Sequence, residues 1–380
     1  MVHCNEDAAL LLNGNTKLTA KLFSEVAKNN TEKSFVMSAF SLLTPLAQLS
    51  LGADGATYDE LLAAIGLPND QSTINAFTEM KTKLGLLPGA ELKIANRIYV
   101  SAEHRLDKDY SAMTRQIFDS EVTNADFTQP EKTATEINKW VEDHTNHHIK
   151  NLVDPNSLNK DTVILLLNSV YFQSAWQMPF PKVLTHAQDF HVTKHSTVKV
   201  PMMQRNSKYK FGKSEELNSS IIEIPYVDNN SALYIILPNE IEGITHLQAK
   251  LNDPSVLEKA LQEMQPVYIV VQIPRFTIET KIDLKEALPH VGVTKIFKRN
   301  ESNLSKIISG NRNSNLYIGQ ASQKAFVEVN EEGTAAGAAN EFKAFMTASL
   351  GQKYFVANRP FVFDIRVNNA PVFRGIYTAT

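Results

Sequence analysis

The chain has 380 residues, 43% hydrophobic and 21% charged, with a formal net charge of −3. That is ordinary globular composition with enough apolar residues for a large core, and the near-neutral balance gives no electrostatic case for a nucleic-acid or membrane-surface partner. Cys4 is the only cysteine, so no internal disulfide can form, and no apolar run reaches the ~18 residues a transmembrane helix needs.

Ala8-Ala-Leu-Leu-Leu12 is too short and too acid-flanked for a signal peptide. The chain is therefore expected either to be secreted after removal of a leader or to be cytoplasmic. Sequons at Asn29, Asn218, Asn229, Asn300 and Asn303 permit secretion and glycosylation. Thr16 to Lys28 places Leu18, Leu22 and Val26 at helical spacing, and Ser38 to Leu51 is a longer apolar helix pattern. Thr57-x-x-Glu60 reads as a capping box for a short helix that Gly66 and Pro68 end. Ile94 to Val100 reads as a buried strand. Thr133-x-x-Glu136 reads as a second capping box, opening a helix with Ile137, Trp140 and Val141 on one face.

Val163 to Phe172 is apolar at nearly every position, as a strand covered on both faces would be. Ile222 to Tyr226 and Ala232 to Pro238 read as paired strands around Asp228-Asn-Asn230, and Ile273-Pro-Arg-Phe276 as the start of another. Ala325 to Val329 alternates, and Tyr354 to Val367 is again strand-like. No repeat, low-complexity tract or dividing linker appears, which fits one α+β domain over 1–380.

About twenty residues join these last two strands without an obvious turn, a length that in a compact domain is functional or disordered. Side chains from Thr334 to Ala339 are all small, and no proline occurs between Gly333 and Pro360. The stretch could therefore enter a sheet. Read with period two, Thr334, Ala336, Ala338, Asn340, Phe342 and Ala344 share one face, and the charges of Glu341 and Lys343 fall on the other. An Ala-rich linker, or a helix bearing Phe342, Phe345 and Met346, fits the composition as well.

Enzyme motifs are missing: there is no Gly-x-Ser-x-Gly elbow, phosphate-binding glycine loop or dinucleotide fingerprint. His144, His147 and His148 fall at i, i+3 and i+4, where one helical face could hold a metal. With no cysteine or paired carboxylate beside them, a solvated helix end is the simpler reading. Lys81, Lys83, Lys93 and Arg97 could face a polyanion, but they are sparse enough for an ordinary solvated face.

Several stretches together resemble one family. Glu331-Glu-Gly-Thr334 with its small-residue run resembles the hinge of the serpin reactive-centre loop, and Asn358-Arg-Pro-Phe361 the segment that follows it. Ser38 to Thr57 resembles the second helix and its exit, with Ala39 where the family usually has proline. Ile137-Asn-Lys-Trp-Val141 is similar to the helix lying across the main sheet. Asn168-Ser-Val-Tyr-Phe172 followed by Trp176 and Phe180, and Val372-Phe-Arg-Gly375 near the end, extend the match over essentially the whole chain.

The resemblance implies a single domain of several helices packed on three β-sheets, with an exposed reactive-centre loop at about 331–356. It implies a monomer without cofactor whose partner is a target protease. Such a loop is bait: the protease forms an acyl-enzyme with it, and the freed hinge inserts into the main sheet. The hinge would be Glu331, Glu332, Gly333, Thr334, Ala335, Ala336, Gly337, Ala338 and Ala339. Insertion control would fall to Ser38, Ser41 and Asn168, with Gln323 where the family commonly has histidine, to the pair Arg275 and Glu331, and to Trp176.

Counting sixteen residues from Glu331, as inhibitory members of the family usually do, puts the reactive bond at Thr347–Ala348, or with a one-residue shift at Met346–Thr347 or Ala348–Ser349, with Phe345, Met346 and Ser349 as subsite contacts. No Arg or Lys lies between Phe345 and Gln352, which disfavours trypsin-like targets. Elastase-like, chymotrypsin-like and papain-like proteases remain. Asn340 stands where the family prefers a smaller residue. The alternative function is a non-inhibitory carrier, chaperone or storage protein of the same fold.

Overall fold

The computed structural model describes residues 6–30, 32–84, 90–310, 316–334 and 352–380. The expected hinge residues Ala335 to Ala339, the expected subsite residues Phe345, Met346 and Ser349, and the expected reactive bond Thr347–Ala348 lie outside them. Nine helices are described: α1 (Glu6–Lys28), α2 (Ala39–Gly52), α3 (Gly55–Ile65), α4 (Asp70–Leu84), α5 (Lys108–Phe118), α6 (Pro130–His144), α7 (Ile244–Lys250), α8 (Pro254–Gln262) and α9 (Leu284–His290).

The helix starts show where local rules give way to tertiary ones. Ser38 caps α2 by accepting from the Ser41 N–H at 3.1 Å, and the helix is buried almost throughout. α3 starts at Asp54, whose carboxylate accepts from the Gly55 N–H, so Thr57 and Glu60 form no capping box. The Thr57 hydroxyl instead accepts from the Asn303 N–H at 3.0 Å, and Glu60 accepts from the Thr294 and Lys295 N–H groups. Both residues tie α3 to a distant segment. Gly66 ends α3 in the left-handed region, φ 76°, as its sequence position predicts. α6 likewise starts early, at Pro130, and Thr133 donates to the Asp126 carbonyl rather than capping.

α6 stops at His144, and both Asn146 and His147 take positive φ. The three histidines therefore do not share a helical face. His144 bonds the Trp140 carbonyl, His147 meets Glu142, and His148 stacks on Tyr171 with centroids 4.3 Å apart.

The strands in chain order are β1 (Phe35–Met37), β2 (Ala90–Ser101), β3 (Glu121–Ala125), β4 (Ile164–Ala175), β5 (His186–His191), β6 (Thr197–Ser214), β7 (Ser219–Pro225), β8 (Ser231–Pro238), β9 (Gln265–Pro274), β10 (Phe276–Asp283), β11 (Ile318–Val329), β12 (Gly333–Thr334), β13 (Lys353–Val356), β14 (Phe361–Val367) and β15 (Ala370–Tyr377). They form two hydrogen-bonded sheets. One runs β10-β11-β12-β4-β2-β3; the other runs β1-β15-β14-β8-β7-β6-β9-β13, with β5 also on β6. The third sheet implied by the resemblance is continuous with the second. The 18-residue β6 pairs with β5 over Thr197–Met202, with β9 over Met202–Phe211 and with β7 over Lys210–Ser214, joining both halves.

Two sequence-predicted strands are divided. β9 ends at Pro274 and β10 begins at Phe276, so Arg275 sits where the chain changes sheet. The run Tyr354 to Val367 splits around Asn358-Arg-Pro360 into the terminal strand β13 and the interior strand β14, where a proline without an N–H interrupts the ladder. The second sheet also buries an ion pair, Arg374 with Asp364, at 2.7 Å. No helix among the described residues is long and apolar enough to cross a membrane.

Candidate functional site: a parted seam with a short strand in its mouth

β11 and β4 run parallel and pair from Ile318 with Ile164 up to Phe326 with Tyr171. Such parallel neighbours are held by this ladder and by what lies beneath it. Gln323 stands opposite Asn168 in the register, and both face the N-terminus of α2. The Gln323 amide nitrogen donates to the Ser38 carbonyl (2.8 Å) and to Asn168 Oδ1 (2.6 Å), while its oxygen accepts from the Ser38 N–H (3.0 Å). The Ser41 hydroxyl donates to Asn168 Oδ1 at 2.8 Å, and Asn168 Nδ2 donates to the Ser41 carbonyl at 3.0 Å.

Ser38, Ser41, Asn168 and Gln323 are each 0% exposed. A buried network is costly unless satisfied, and here both ends of the Gln323 amide and of the Asn168 amide are occupied. A fifth member was not legible in the sequence. Asn96, opposite Asn168 on β2, accepts from Asn168 Nδ2 at 2.5 Å and donates to the Ser41 carbonyl. Its only signal is an Asn interrupting the apolar run Ile94-Ala-Asn-Arg-Ile98. All five side chains are amides or hydroxyls, so the network contains no group that titrates between about pH 5 and 8.

Above Phe326 and Tyr171 the two strands part, and β12 lies between them. Thr334 pairs antiparallel with Val329 of β11 and with Ser174 of β4, and Gly333 lies opposite Ala175. The chain reverses into β12 through an Asx turn: Asn330 Oδ1 accepts from the Glu332 and Gly333 N–H groups at 2.9 and 3.1 Å.

The turn is held from outside as well. Trp176 Nε1 donates to the Asn330 carbonyl at 2.8 Å, and the Trp176 and Phe180 N–H groups donate to the Glu332 and Glu331 carbonyls. The Trp176 ring stacks on Tyr226, centroids 4.6 Å apart and 10° from parallel. The Tyr226 and Thr334 hydroxyls share a 2.5 Å hydrogen bond. Burial drives the Tyr226 phenol far above its ordinary pKa, so this partner stays neutral.

The expected pair Arg275 and Glu331 is present but loose, at 3.8 Å, with Arg275 half exposed. Glu331 is held more closely by the Thr185 hydroxyl at 2.9 Å. Glu332 pairs with exposed Lys182 at 2.6 Å, a surface contact of little energetic weight. Tyr226, Thr185, Lys182 and Asn330 are absent from the sequence-based set because only the fold brings them to the turn.

Gly333 is required sterically. A Cβ built there would lie 2.1 Å from the Ser174 carbonyl oxygen and 2.7 Å from Ala175 Cα, and backbone cannot step aside as a side chain can. Gly333→Ala should therefore expel β12 from the mouth of the seam. Limited proteolysis should then cut at or before Thr334 at least about tenfold faster than in the parent, a shift of about 1.4 kcal/mol in local opening. An unchanged cleavage rate would show that the seam accommodates the methyl group.

The family model described as Serpin (serine protease inhibitor) matches residues 13–379. Antichymotrypsin-2 of Bombyx mori is 44% identical over 97% of this chain and 98% of its own length. Antitrypsin of the same moth is 43% identical over 97% and 94%. Among solved structures, Serpin48 of the insect Tenebrio molitor superposes with a TM-score of 0.90 at 30% identity, covering 99% of both chains. With the parted seam, the short strand in its mouth and a family match along nearly the entire sequence, the chain belongs to the serpin family of serine protease inhibitors.

Proposed function

We propose that this serpin is a suicide substrate that traps its protease by loop insertion. The observation that carries the reading is β12, a two-residue strand already seated antiparallel to both β11 and β4. In the proposed reaction the protease nucleophile attacks the Thr347 carbonyl carbon, and the Ala348 amine leaves. The new carboxyl-side end is an ester or thioester on the enzyme. Residues after Thr334 then follow β12 into the seam, pulling the acyl-enzyme with them, and the distorted oxyanion hole no longer supports deacylation.

The exchange is favourable in kind. One parallel ladder is replaced by two antiparallel ones, gaining roughly ten net hydrogen bonds at about 1 kcal/mol each. Thr334 is fully buried, which sets the phase: Ala336 and Ala338 would face inward after it, and small side chains suit that face. Ser38, Ser41, Asn96, Asn168 and Gln323 hold the lower seam shut until the cut. Trp176, Tyr226 and the Arg275–Glu331 contact hold the entry.

Two relatives of nearly equal identity carry different names, an antichymotrypsin and an antitrypsin, so overall similarity does not select the target. The residues around the bond do. Without Arg or Lys from Phe345 to Gln352, the reading favours an elastase-like or chymotrypsin-like serine protease, or a papain-like cysteine protease reading Met346. Asn218, Asn229, Asn300 and Asn303 are all exposed, which supports a secreted, glycosylated protein.

The test is incubation with elastase-, chymotrypsin-, trypsin- and papain-like proteases, read by denaturing gel and mass analysis. The expected result is a stable band at the summed mass and a released fragment beginning at Ala348. Clipping by every enzyme without loss of their activity would overturn the proposal in favour of a non-inhibitory role.

A further inference from the structure

Two tyrosines stand apart from the rest. Tyr268 is 74% exposed and Tyr354 is 62% exposed, whereas every other tyrosine of the chain is buried or half-buried. Among the described residues neither ring has an aromatic neighbour, and neither hydroxyl has a hydrogen-bond partner.

They also share one face. On β9, Ile269 and Val271 point to the core, so Tyr268, Val270 and Gln272 share the opposite face, where Tyr268 is exposed, Gln272 half-buried and Val270 covered. On β13, Phe355 points to the core and lies opposite Val271, so Tyr354 points outward, opposite Val270. Tyr268 lies opposite exposed Lys208 of β6, which has no ion pair among the described residues. The outward surface thus carries two adjacent phenols beside an amine, built on an apolar platform where Phe211 meets Phe355 edge-on. Exposed tyrosines in this arrangement suit a protein interface, since the ring offers apolar area at low entropic cost and the hydroxyl tolerates water.

Chain length says what would sit there. β13 begins at Lys353, so Tyr354 follows Ala348 by six residues, a span of at most about 20 Å fully extended. A protease is at least as wide as a small domain, about 30 Å. With Thr347–Ala348 in its cleft, its surface on the leaving-group side must lie over or beside this face.

We propose that the outward face of β9 and β13, centred on Tyr268 and Tyr354, docks the prime-side rim of the target protease while the loop occupies its cleft. The proposal rests on the inhibitory reading above. It calls for a partner rim with shallow apolar pockets for the two rings and a carboxylate within reach of Lys208. The face would then select among proteases that cut the same bond.

The test uses the full chain with chymotrypsin, pancreatic elastase and papain as probes, taking forward whichever the parent traps. The double variant Tyr268→Ala with Tyr354→Ala should lower the second-order rate of complex formation about tenfold or more. The stoichiometry of trapping and the thermal midpoint should be unchanged, because both rings are exposed. Phenylalanine at both positions should restore most of the rate. If the parent traps a protease and the alanine variant traps it equally fast, the docking proposal is overturned and the inhibitory reading stands. If the alanine variant changes stoichiometry rather than rate, the tyrosines act on insertion and docking is again overturned. If the parent traps none of the three, the inhibitory reading fails and docking falls with it.

Discussion

On the proposed mechanism, Thr334→Arg should convert the protein from an inhibitor into a substrate. Thr334 is 0% exposed, sits between β11 and β4, and meets the Tyr226 hydroxyl. A guanidinium there has no carboxylate to pair with, since Glu331 and Glu332 are engaged by Thr185 and Lys182 on the outer side of the turn. Burying an unpaired charge costs several kcal/mol, against about 1 kcal/mol for each hydrogen bond an inserting residue adds. The first step of insertion becomes uphill. A barrier raised by about 4 kcal/mol slows it roughly a thousandfold, so deacylation overtakes it. Titration of protease activity should show many inhibitor molecules consumed per enzyme, with cleaved chain and no covalent band on gels. Trapping at the parental stoichiometry would mean that insertion does not pass through this position.

Asn168→Ala should give the largest loss of stability. Four hydrogen bonds converge on that amide, from Ser41, from Gln323, and to the Ser41 carbonyl and Asn96. Truncation strands Asn96 Oδ1 in a site closed to water, while the Ser41 hydroxyl keeps the Ser38 carbonyl and the Gln323 amide. The stranded oxygen costs about 1–3 kcal/mol and each of the other lost hydrogen bonds roughly 0.5–1 kcal/mol, so a total of about 3–5 kcal/mol is expected. Thermal unfolding should shift down by several degrees. On the proposed mechanism the loss falls on the seam that opens, so spontaneous loss of inhibitory activity at 37 °C should accelerate as well. A midpoint within a degree of the parent would show that the network is held by its neighbours rather than by Asn168.

Secondary structure was legible wherever periodicity and burial agree. Val163 to Phe172 reads as a strand covered on both faces, and β4 is buried at nearly every position. Ser38 and Gly66 act as helix boundaries from their own chemistry. Thr57 with Glu60, and Thr133 with Glu136, match a local rule and fail it. Asp54 and Pro130 begin their helices sooner; Thr57 and Glu60 are recruited by residues far along the chain, and Thr133 by the Asp126 carbonyl seven residues before it. Ser38, Ser41, Asn168 and Gln323 could be listed together only through the family resemblance, because nothing local links residues so far apart. Asn96 and Tyr226 were missed for the same reason. The strand register brings Asn96 to Asn168, and a ring stack brings Tyr226 to Trp176 and the hinge. Gly333 looked like one small residue among many, and only the 2.1 Å approach of Ser174 singles it out.

The pairing of Thr334 with Ser174 also fixes a length of travel. Continued one residue at a time, that antiparallel register brings residue 344 opposite Ile164, the far end of β4. On the proposed mechanism, the cut end is therefore hauled the length of the strand, about ten residues at ~3.3 Å each, or roughly 33 Å. Spread over that distance, about 10 kcal/mol of new hydrogen bonding corresponds to a mean pull on the order of 20 pN. The molecule is then a spring with one stroke, whose throw is set by the length of β4. Residues added between Thr334 and the cut would introduce slack without lengthening the stroke, and the protease would arrive at the far end under less tension.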